Sequence, residues 1–327
     1  MYMRGPSLTH YLVLLGGVVV VASASIMIRL AQQSGMPSAV IAAGRLGFAA
    51  LILLPIALVR VGSELRALSR RDVALGIVSG AGLAIHFIAW ISSLEYTSVA
   101  SSVALVTTNP LWVGLAALLL FRERLSALML LGVMLTIGGS ALIGWSDGSG
   151  AGAKDALLGD ALALVGALAA SGYFLLGRAL RRRLSILAYI WLVYTSAAIF
   201  LVIVALVAQS AGASGQPSPF SYPAVAYALL LGLALGPQLL GHTAFNWALR
   251  YLSATFVAVA VLGEPIGAAL LALLIFGEPF APLQLVGFAL LLTGIVVAAR
   301  AERAGDAAMV VEMIEGPEVS ASASLTD

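Results

Sequence analysis

Polar side chains that could bind a small molecule lie inside long apolar stretches of this chain. His86 and Trp90 are one helical turn apart in one stretch, and Gln238, His242 and Asn246 follow at a spacing of four in another. Residues at that spacing share one face of a helix. A polar face in contact with lipid is costly, so this face should line a cavity or contact another helix. The alternative is that the histidines are ordinary core residues.

Two pairs of residues place a proline near the middle of an apolar stretch. They are Asn109-Pro110 and Glu264-Pro265. Proline removes one backbone hydrogen bond, so both helices should bend and could act as hinges. Asn109 and Glu264 could bond the carbonyls that are freed, or they could line a pathway. Because burial disfavours the charged form of a carboxylate, Glu264 could also take up and release a proton.

Arg45 lies inside a third apolar stretch, about 12 Å from its outer end at a rise of 1.5 Å per residue. It could bind an anionic group of a substrate, pair with Glu264 or extend outward to the membrane surface. Trp112 and Tyr173 could line a site or only pack. With Trp90 and the amides they would suit a zwitterion that has an apolar side chain, and a nucleoside or sugar nearly as well.

Catalytic and metal-binding patterns are missing from the sequence. The only paired acids, Asp155 and Asp160, lie in a loop beside Lys154, and no HExxH or GxSxG motif occurs. The chain has no cysteine, which excludes disulfides and thiolate ligands. No carboxylate or third histidine keeps ligand spacing with the two histidines above. We therefore expect no enzyme, no metal site and no cofactor.

A degenerate repeat positions these side chains. The stretch Tyr96–Gly144 recurs 155 residues later as Tyr251–Ala299, and 15 of its 49 positions match. Eight of these matches are leucine, valine or alanine, which any two apolar helices share. The informative matches include Pro110/Pro265 and the glycines, which are Gly132/Gly287 and Gly139/Gly294.

Composition indicates that nearly the whole chain is in a membrane, because 61% of its residues are hydrophobic and 10% are charged. Apolar runs of about 20 residues, the length that crosses a bilayer core, predict ten helices. We name them spans 1 to 10, and they cover residues 11–31, 38–59, 73–94, 97–120, 126–145, 157–177, 186–208, 223–248, 254–276 and 282–300. The predicted fold is an all-α polytopic membrane protein.

Two halves of five spans must insert in opposite orientations. The predicted arrangement is a cytoplasmic N-terminus (1–10), a first repeat (11–145), an external loop (146–156), a second repeat (157–300) and a disordered cytoplasmic tail (301–327). With both termini inside, 14 of the 17 basic residues face the cytoplasm. Inverted repeats are typical of alternating-access transporters. A cleaved signal peptide ending near Ala22-Ser23-Ala24 would leave nine spans and break this symmetry.

Several of these segments resemble the EamA family of the drug/metabolite transporter superfamily. The similar segments are LGEPIGAALLALLIFGE (262–278), NPLWVGLAALLLFRE (109–123), YTSVASSVAL (96–105) and AAGRLGFAAL (42–51). The resemblance implies a ten-helix inverted-repeat carrier in the plasma (inner) membrane that exports metabolites such as amino acids. Exporters of the YddG type are most similar in length and topology. Small multidrug carriers have an essential glutamate in the first span of each unit, and spans 1 and 6 here have none.

The expected function is therefore secondary transport of a small molecule, with amino acids as the first candidate substrate class. A carrier of another solute, such as a nucleoside, sugar or drug, is the alternative, and a channel is a further one. A channel usually builds its filter around an oligomer axis, whereas inverted halves with mid-helix prolines favour a moving carrier. We expect membrane lipids as surroundings, no nucleic-acid partner and a monomer.

Overall fold

The computed structural model describes residues 7–97, 99–109, 112–113, 116, 126–146, 153–210, 221–276, 282–283, 285–298, 300–301 and 304. These residues form helices and short connections, and this part of the chain contains no strand. The α-helices run over Leu8–Val21, Ala24–Gln33, Ser38–Arg66, Arg70–Tyr96, Val99–Val106, Ala127–Ser146, Ala153–Arg181, Ile186–Ser210, Ala224–Leu233, Thr243–Ala248, Ala254–Val261, Glu264–Phe276 and Leu285–Ala298. A π-helix covers Ala234–His242.

Seven helical segments in the described residues are long and apolar enough to cross a membrane. They are Leu8–Gln33, Ser38–Arg66, Arg70–Tyr96, Leu157–Arg181, Ile186–Ser210, Ala224–Ala248 and Ala254–Ile275. Shorter apolar helices occupy the positions of spans 5 and 10, and much of span 4 lies outside the described residues. The prediction of a multi-pass all-helical membrane protein is confirmed, and the number ten stays a prediction.

Local sequence signals end and begin these helices. Gly35 has a φ of 81° in the turn after span 1, a left-handed conformation that glycine adopts without strain. Ser69 and Ser253 are N-caps whose hydroxyls accept hydrogen bonds from the backbone N–H groups of Asp72 and Phe256. These turns keep the connections between spans 1, 2 and 3 and between spans 8 and 9 short.

Spans 4 and 9 are interrupted close to the predicted bends. Their first helices are Val99–Val106 and Ala254–Val261, which end at positions related by the repeat. In span 9 a second helix starts at Glu264, so Pro265 lies in its first turn, where a missing N–H costs no helical hydrogen bond. The break in span 9 agrees with the predicted bend, whereas Pro110 lies outside the described residues.

Glycines bring several helices into backbone contact. A Cβ added to Gly17 would lie 3.2 Å from the carbonyl oxygen of Gly241, and one on Gly166 would lie 3.4 Å from that of His86. Spans 1 and 8 therefore pack closely, as do spans 3 and 6. A Cβ on Gly139 would lie 2.5 Å from the carbonyl oxygen of Gly287, which brings spans 5 and 10 together. Small residues allow such packing where lipid gives helices no hydrophobic reason to associate.

Candidate functional site

The side chain of Arg45 on span 2 lies at the centre of the bundle with no exposed surface. Its Nε donates to Oε1 of Gln238 over 2.9 Å, and its Cζ lies 4.1 Å from the centroid of the Phe87 ring. Among the residues that the structure describes, Nη1 and Nη2 have no hydrogen-bond partner. The alternative that Arg45 extends to the membrane surface is therefore wrong. The hydrogen bond and the cation–π contact hold its guanidinium inside the protein.

The predicted polar residues of span 8 are all buried. Gln238 and Asn246 are fully enclosed, and His242 retains 6% exposure. Gln238 and His242 lie in the π-helix Ala234–His242, and Asn246 lies in the α-helix that follows it. The spacing of four therefore does not describe one straight α-helical face. Even so, each of the three side chains points into the bundle, as the cost of a lipid-facing amide requires.

Two tyrosines enclose Asn246. The hydroxyl of Tyr173 on span 6 donates to Oδ1 of Asn246 over 2.6 Å. Nδ2 of Asn246 donates to the hydroxyl of Tyr194 on span 7 over 3.1 Å. The Tyr194 hydroxyl also lies 3.4 Å from the carbonyl oxygen of Gln238. Asn246 therefore connects spans 6, 7 and 8 through a network in which both ends of its amide are used.

His86 and Trp90 lie one turn apart on span 3, and the centroid of the His86 ring is 4.8 Å from that of Phe87. Nδ1 of His86 donates to the carbonyl oxygen of Gly166 over 3.0 Å, which is a structural hydrogen bond. The His86 and Trp90 rings are stacked with centroids 6.0 Å apart. Trp90 is buried, and no described residue accepts a hydrogen bond from its Nε1–H. His86 thus has the contacts of a packing residue, whereas Trp90 keeps a free donor.

Glu264 and Asn109 bring acceptors to the interior from spans 9 and 4. Glu264 is 7% exposed and Asn109 is 3% exposed. In the described part of the chain, Oε1 of Glu264 and Oδ1 of Asn109 have no hydrogen-bond partner. Arg45 and Glu264 interact electrostatically, but no nitrogen of Arg45 lies within the 4.0 Å of an ion pair. The predicted alternative of a direct Arg45–Glu264 pair is not formed in this conformation.

Trp112 makes its described hydrogen bond to another residue of span 4. It is half-buried, and its Nε1 donates to Oγ1 of Thr108 over 3.2 Å. Asn109 accepts through its backbone carbonyl from the hydroxyl of Ser171 on span 6. The described contacts do not join Trp112 to the network around Arg45.

Sequence reasoning missed one residue that lies at the centre of the site. Phe87 is fully buried, supports the guanidinium of Arg45 and has its centroid 5.2 Å from that of His242. An arginine inside an apolar run requires a partner for its charge, and an aromatic ring beside His86 was available. The sequence signal was weak because phenylalanine is common in any apolar span.

The unpaired polar atoms in this region are buried hydrogen-bond donors and acceptors that a solute could satisfy. Buried polar groups without a partner are rare because each costs about 1–3 kcal/mol. Several occur here, namely Nη1 and Nη2 of Arg45, Nε2 of Gln238, Nδ1 of His242, Nε1 of Trp90, Oδ1 of Asn109 and Oε1 of Glu264. The unpaired nitrogens belong to spans 2, 3 and 8, and the unpaired oxygens of Asn109 and Glu264 belong to spans 4 and 9. Such a set can bind a polar solute that carries both an anionic and a cationic group.

The sequence comparison identifies the family. The EamA-like transporter family matches the chain twice, over residues 8–145 and 157–300. The chain belongs to the EamA-like transporter family. A membrane transport role follows from this membership. A relative described as the uncharacterized transporter YetK of Bacillus subtilis (strain 168) is 26% identical over 248 residues, which are 74% of this chain and 72% of the relative.

The fold also occurs among solved structures. One crystal structure, whose description names no function, has a TM-score of 0.72 to this EamA-family chain at 16% sequence identity. The match covers 91% of this chain and 99% of the other. At this identity the likeness concerns the fold alone. Because family members are transporters, the expectation that this protein is not an enzyme is confirmed.

Proposed function

We propose that this protein is a secondary carrier that exports small zwitterionic metabolites, amino acids first among them, by alternating access. The observation that carries the proposal is the buried guanidinium of Arg45 in a network shared by spans 2, 3 and 8. Its two Nη atoms have no partner among the described residues. An arginine fork binds a carboxylate through two parallel hydrogen bonds. Its burial would be costly without such an occupant in part of the transport cycle.

The opposite end of an amino acid requires acceptors for an ammonium group. Oε1 of Glu264 and Oδ1 of Asn109 are buried acceptors without partners, and Glu264 interacts electrostatically with Arg45. Phe87 and Trp90 add apolar surface for the side chain of the solute. This distribution of charge supports a zwitterion over a neutral sugar, which would need no charged pair. An amino-acid exporter of the YddG type fits the same requirement.

The proposal includes an inverted repeat, which contacts between spans 5 and 10 support. A Cβ on Gly139 would meet Gly287, and one on Gly294 would lie 2.7 Å from the carbonyl oxygen of Gly132. Gly132 aligns with Gly287, and Gly139 aligns with Gly294. The contact of Gly139 with Gly287 is thus the repeat equivalent of the contact of Gly294 with Gly132. A two-fold axis produces this pattern at an interface.

A second exchange of contacts occurs between the early spans of each half. At the offset of 149 residues that aligns Arg29 with Arg178, Gly17 corresponds to Gly166. At the offset of 155, His86 corresponds to Gly241. Gly17 contacts the carbonyl of Gly241, and Gly166 contacts the carbonyl of His86. The family's two matches to this chain agree with this duplication.

Counterflow in proteoliposomes tests the proposal. Vesicles loaded with an unlabelled amino acid should accumulate the same labelled amino acid, because only a carrier shows stimulation by its substrate on the opposite side. The change Arg45→Met should abolish this exchange, whereas Arg29→Met, at an exposed position on the end of span 1, should leave it intact.

Three outcomes would contradict the proposal. Counterflow of nucleosides or sugars in place of amino acids would assign another solute class. Flux that no solute on the opposite side stimulates would assign a channel. Full exchange by Arg45→Met would remove the guanidinium from the binding site.

A further inference from the structure

Polar side chains at the ends of spans 1 and 6 reach across to backbone carbonyls of other spans. Nε2 of Gln32 lies 3.0 Å from the carbonyl oxygen of Ile91 on span 3. Nε of Arg181 lies 3.1 Å from the carbonyl oxygen of Asn246 on span 8. Arg181 is 1% exposed, although charged side chains at the end of a span usually extend into water. Its burial indicates that this contact has a role beyond solvation.

The two contacts are equivalent. The offset of 149 residues that relates the first spans of the two halves places Gln32 opposite Arg181. The offset of 155 that relates the later spans places Ile91 opposite Asn246. The same hydrogen bond is thus made once in each half, at opposite ends of the bundle in the predicted orientation.

Each donor also fixes the turn that follows its own span. Nε2 of Gln32 donates to Oγ of Ser38, the first residue of the next helix, over 3.0 Å. Nη1 of Arg181 donates to the carbonyl of Leu184, in the turn before span 7. Both donors therefore bind the turn that follows their own span and a distant span at the same time. Two sets of hydrogen bonds fix the end of each span.

The tied helices belong to different packed pairs. Spans 1 and 8 are in backbone contact at Gly17 and Gly241, and spans 3 and 6 are in contact at Gly166 and His86. Gln32 joins span 1 of the first pair to span 3 of the second at the predicted outer end. Arg181 joins span 6 of the second pair to span 8 of the first at the predicted inner end.

We propose that Gln32–Ile91 and Arg181–Asn246 are paired gate contacts, an outer latch and an inner latch that open in turn. Separation of the two helix pairs at either face requires one of these hydrogen bonds to break while the other holds. The inner latch grips the backbone of Asn246, whose side chain bonds Tyr173 and Tyr194 in the candidate site. Movement of solute-binding residues is thereby transmitted to the inner gate. This inference rests on the proposed carrier function.

Single cysteines can report the opening of each end, because the chain has no cysteine of its own. Ser93 and Ala248 are related by the repeat, adjoin the two latches on spans 3 and 8 and have no exposed surface. Ser93→Cys and Ala248→Cys would be labelled by a membrane-impermeant maleimide from the outer and inner sides of oriented vesicles. The latches would be removed with Gln32→Met and Arg181→Met.

The expected result is specific to one side. Arg181→Met should raise inner labelling of Ala248→Cys about tenfold and leave outer labelling of Ser93→Cys unchanged, and Gln32→Met should do the reverse, since a lost hydrogen bond shifts the equilibrium by about this factor. The exposed neighbours provide controls, and Arg182→Met and Gln33→Met should change neither rate. Where Arg181→Met does not fold, Arg181→Gln can be used, because it places at the inner latch the same side chain that donates at the outer latch. Its labelling rate should lie between those of the wild type and a variant without the inner hydrogen bond.

Equal increases at both reporters would indicate general loosening and overturn the proposal, as would no change at either reporter. The labelling needs no solute, so its outcome is separate from counterflow. One-sided labelling in a protein without counterflow would keep the latches and reject the amino-acid carrier. Counterflow with unchanged labelling would reject the latches alone.

Discussion

At the scale of single residues, the site combines one buried cation with acceptors that have no protein partner. Arg45 is held by Gln238 and Phe87 in a geometry that leaves both of its Nη atoms unpaired. Removing one partner of such a buried charge is more disruptive than removing a surface charge. Some polar residues of this site stabilise the fold, and others bind the solute. Substitutions distinguish the two roles, because the first kind should lower stability and the second kind should lower transport.

The two histidines provide such a comparison. His86 donates to the carbonyl of Gly166, whereas Nδ1 of His242 has no partner. We expect His86→Ala to reduce the free energy of unfolding by about 1–3 kcal/mol, because it removes a hydrogen bond between spans 3 and 6 and leaves a cavity beside Trp90. His242→Ala should instead reduce counterflow several-fold with a smaller loss of thermal stability.

Melting temperature in detergent and exchange per folded molecule measure these two effects. The assignment of roles would be reversed if His242→Ala proved the less stable variant and His86→Ala the less active one. Gln238→Ala serves as a reference, since it should impair both properties by removing the hydrogen bond to Arg45.

Glu264 tests whether transport is coupled to protons. Its carboxylate is buried near Arg45 without forming an ion pair within 4.0 Å, so it is not committed to a structural salt bridge. Glutamine keeps the shape and hydrogen-bonding capacity of the side chain and cannot titrate. We expect Glu264→Gln to retain solute exchange and to lose accumulation driven by a pH gradient in proteoliposomes. Undiminished pH-driven accumulation by this variant would remove Glu264 from the coupling mechanism.

At the scale of helices, the interruption of span 9 is the feature most directly related to motion. Two residues separate the helix Ala254–Val261 from Glu264, and Pro265 occupies the first turn of the next helix. Pro265→Ala should allow the helix to continue through the break. We expect slower transport by several-fold with little change in solute affinity, because gating depends on rigid segments moving about hinges.

Transport rate and binding affinity, measured separately in liposomes and detergent, check this expectation. Ala268→Pro would not be an informative control, since it breaks the second helix itself. Pro223→Ala, at the start of span 8, changes a proline outside the bundle interior and should leave the rate unchanged. A wild-type transport rate in Pro265→Ala would show that Pro265 has a packing role and is not a hinge.

Much of the helical architecture could be predicted because membrane burial imposes a simple rule on composition. The apolar run at 73–94 corresponds to the helix Arg70–Tyr96, and the run at 186–208 corresponds to Ile186–Ser210. The π-helix at Ala234–His242 was not predicted, although Pro237 lies inside it. A proline indicates that regular α-helical hydrogen bonding is disturbed, but the sequence does not specify which distortion results. Inside this π-helix the carbonyl oxygen of Gln238 lies 3.4 Å from the hydroxyl of Tyr194, a contact between spans 7 and 8 that the sequence does not reveal.

The polar residues of the candidate site could be proposed from the sequence, whereas Phe87 and the contacts between the side chains could not. Polar residues at membrane depth are few, so Arg45, Gln238 and Asn246 could be selected from the sequence alone. The hydrogen bond between Arg45 and Gln238 joins residues 193 positions apart, and spacing along one helix carries no information about it. Gln32 and Arg181 were missed because residues at span ends are usually solvated, and only the structure shows where they donate.

At the scale of the whole molecule, contacts between connecting segments group them on two faces. Nη2 of Arg183 lies 3.0 Å from Oδ1 of Asp72, which joins the 6–7 connection to the start of span 3. Oε1 of Glu64 accepts from the backbone N–H of Ser185 over 2.7 Å on the same face. At the other end of span 3, Thr97 donates to Asp160 at the start of span 6. The basic connections 2–3 and 6–7 therefore share one face, and the start of span 6 at Asp160 lies at the other.

This grouping, together with the 14 basic residues on one predicted side, leads to a prediction about orientation. Reporter fusions after residues 66 and 182, which lie in the basic connections, should be active in the cytoplasm. Fusions after 150 and 214 should report the exterior, because the connections there carry at most one basic residue. An exterior signal from the 182 fusion would reverse the second half of the protein, place Arg181 at the outer gate and overturn both the orientation and the count of ten spans.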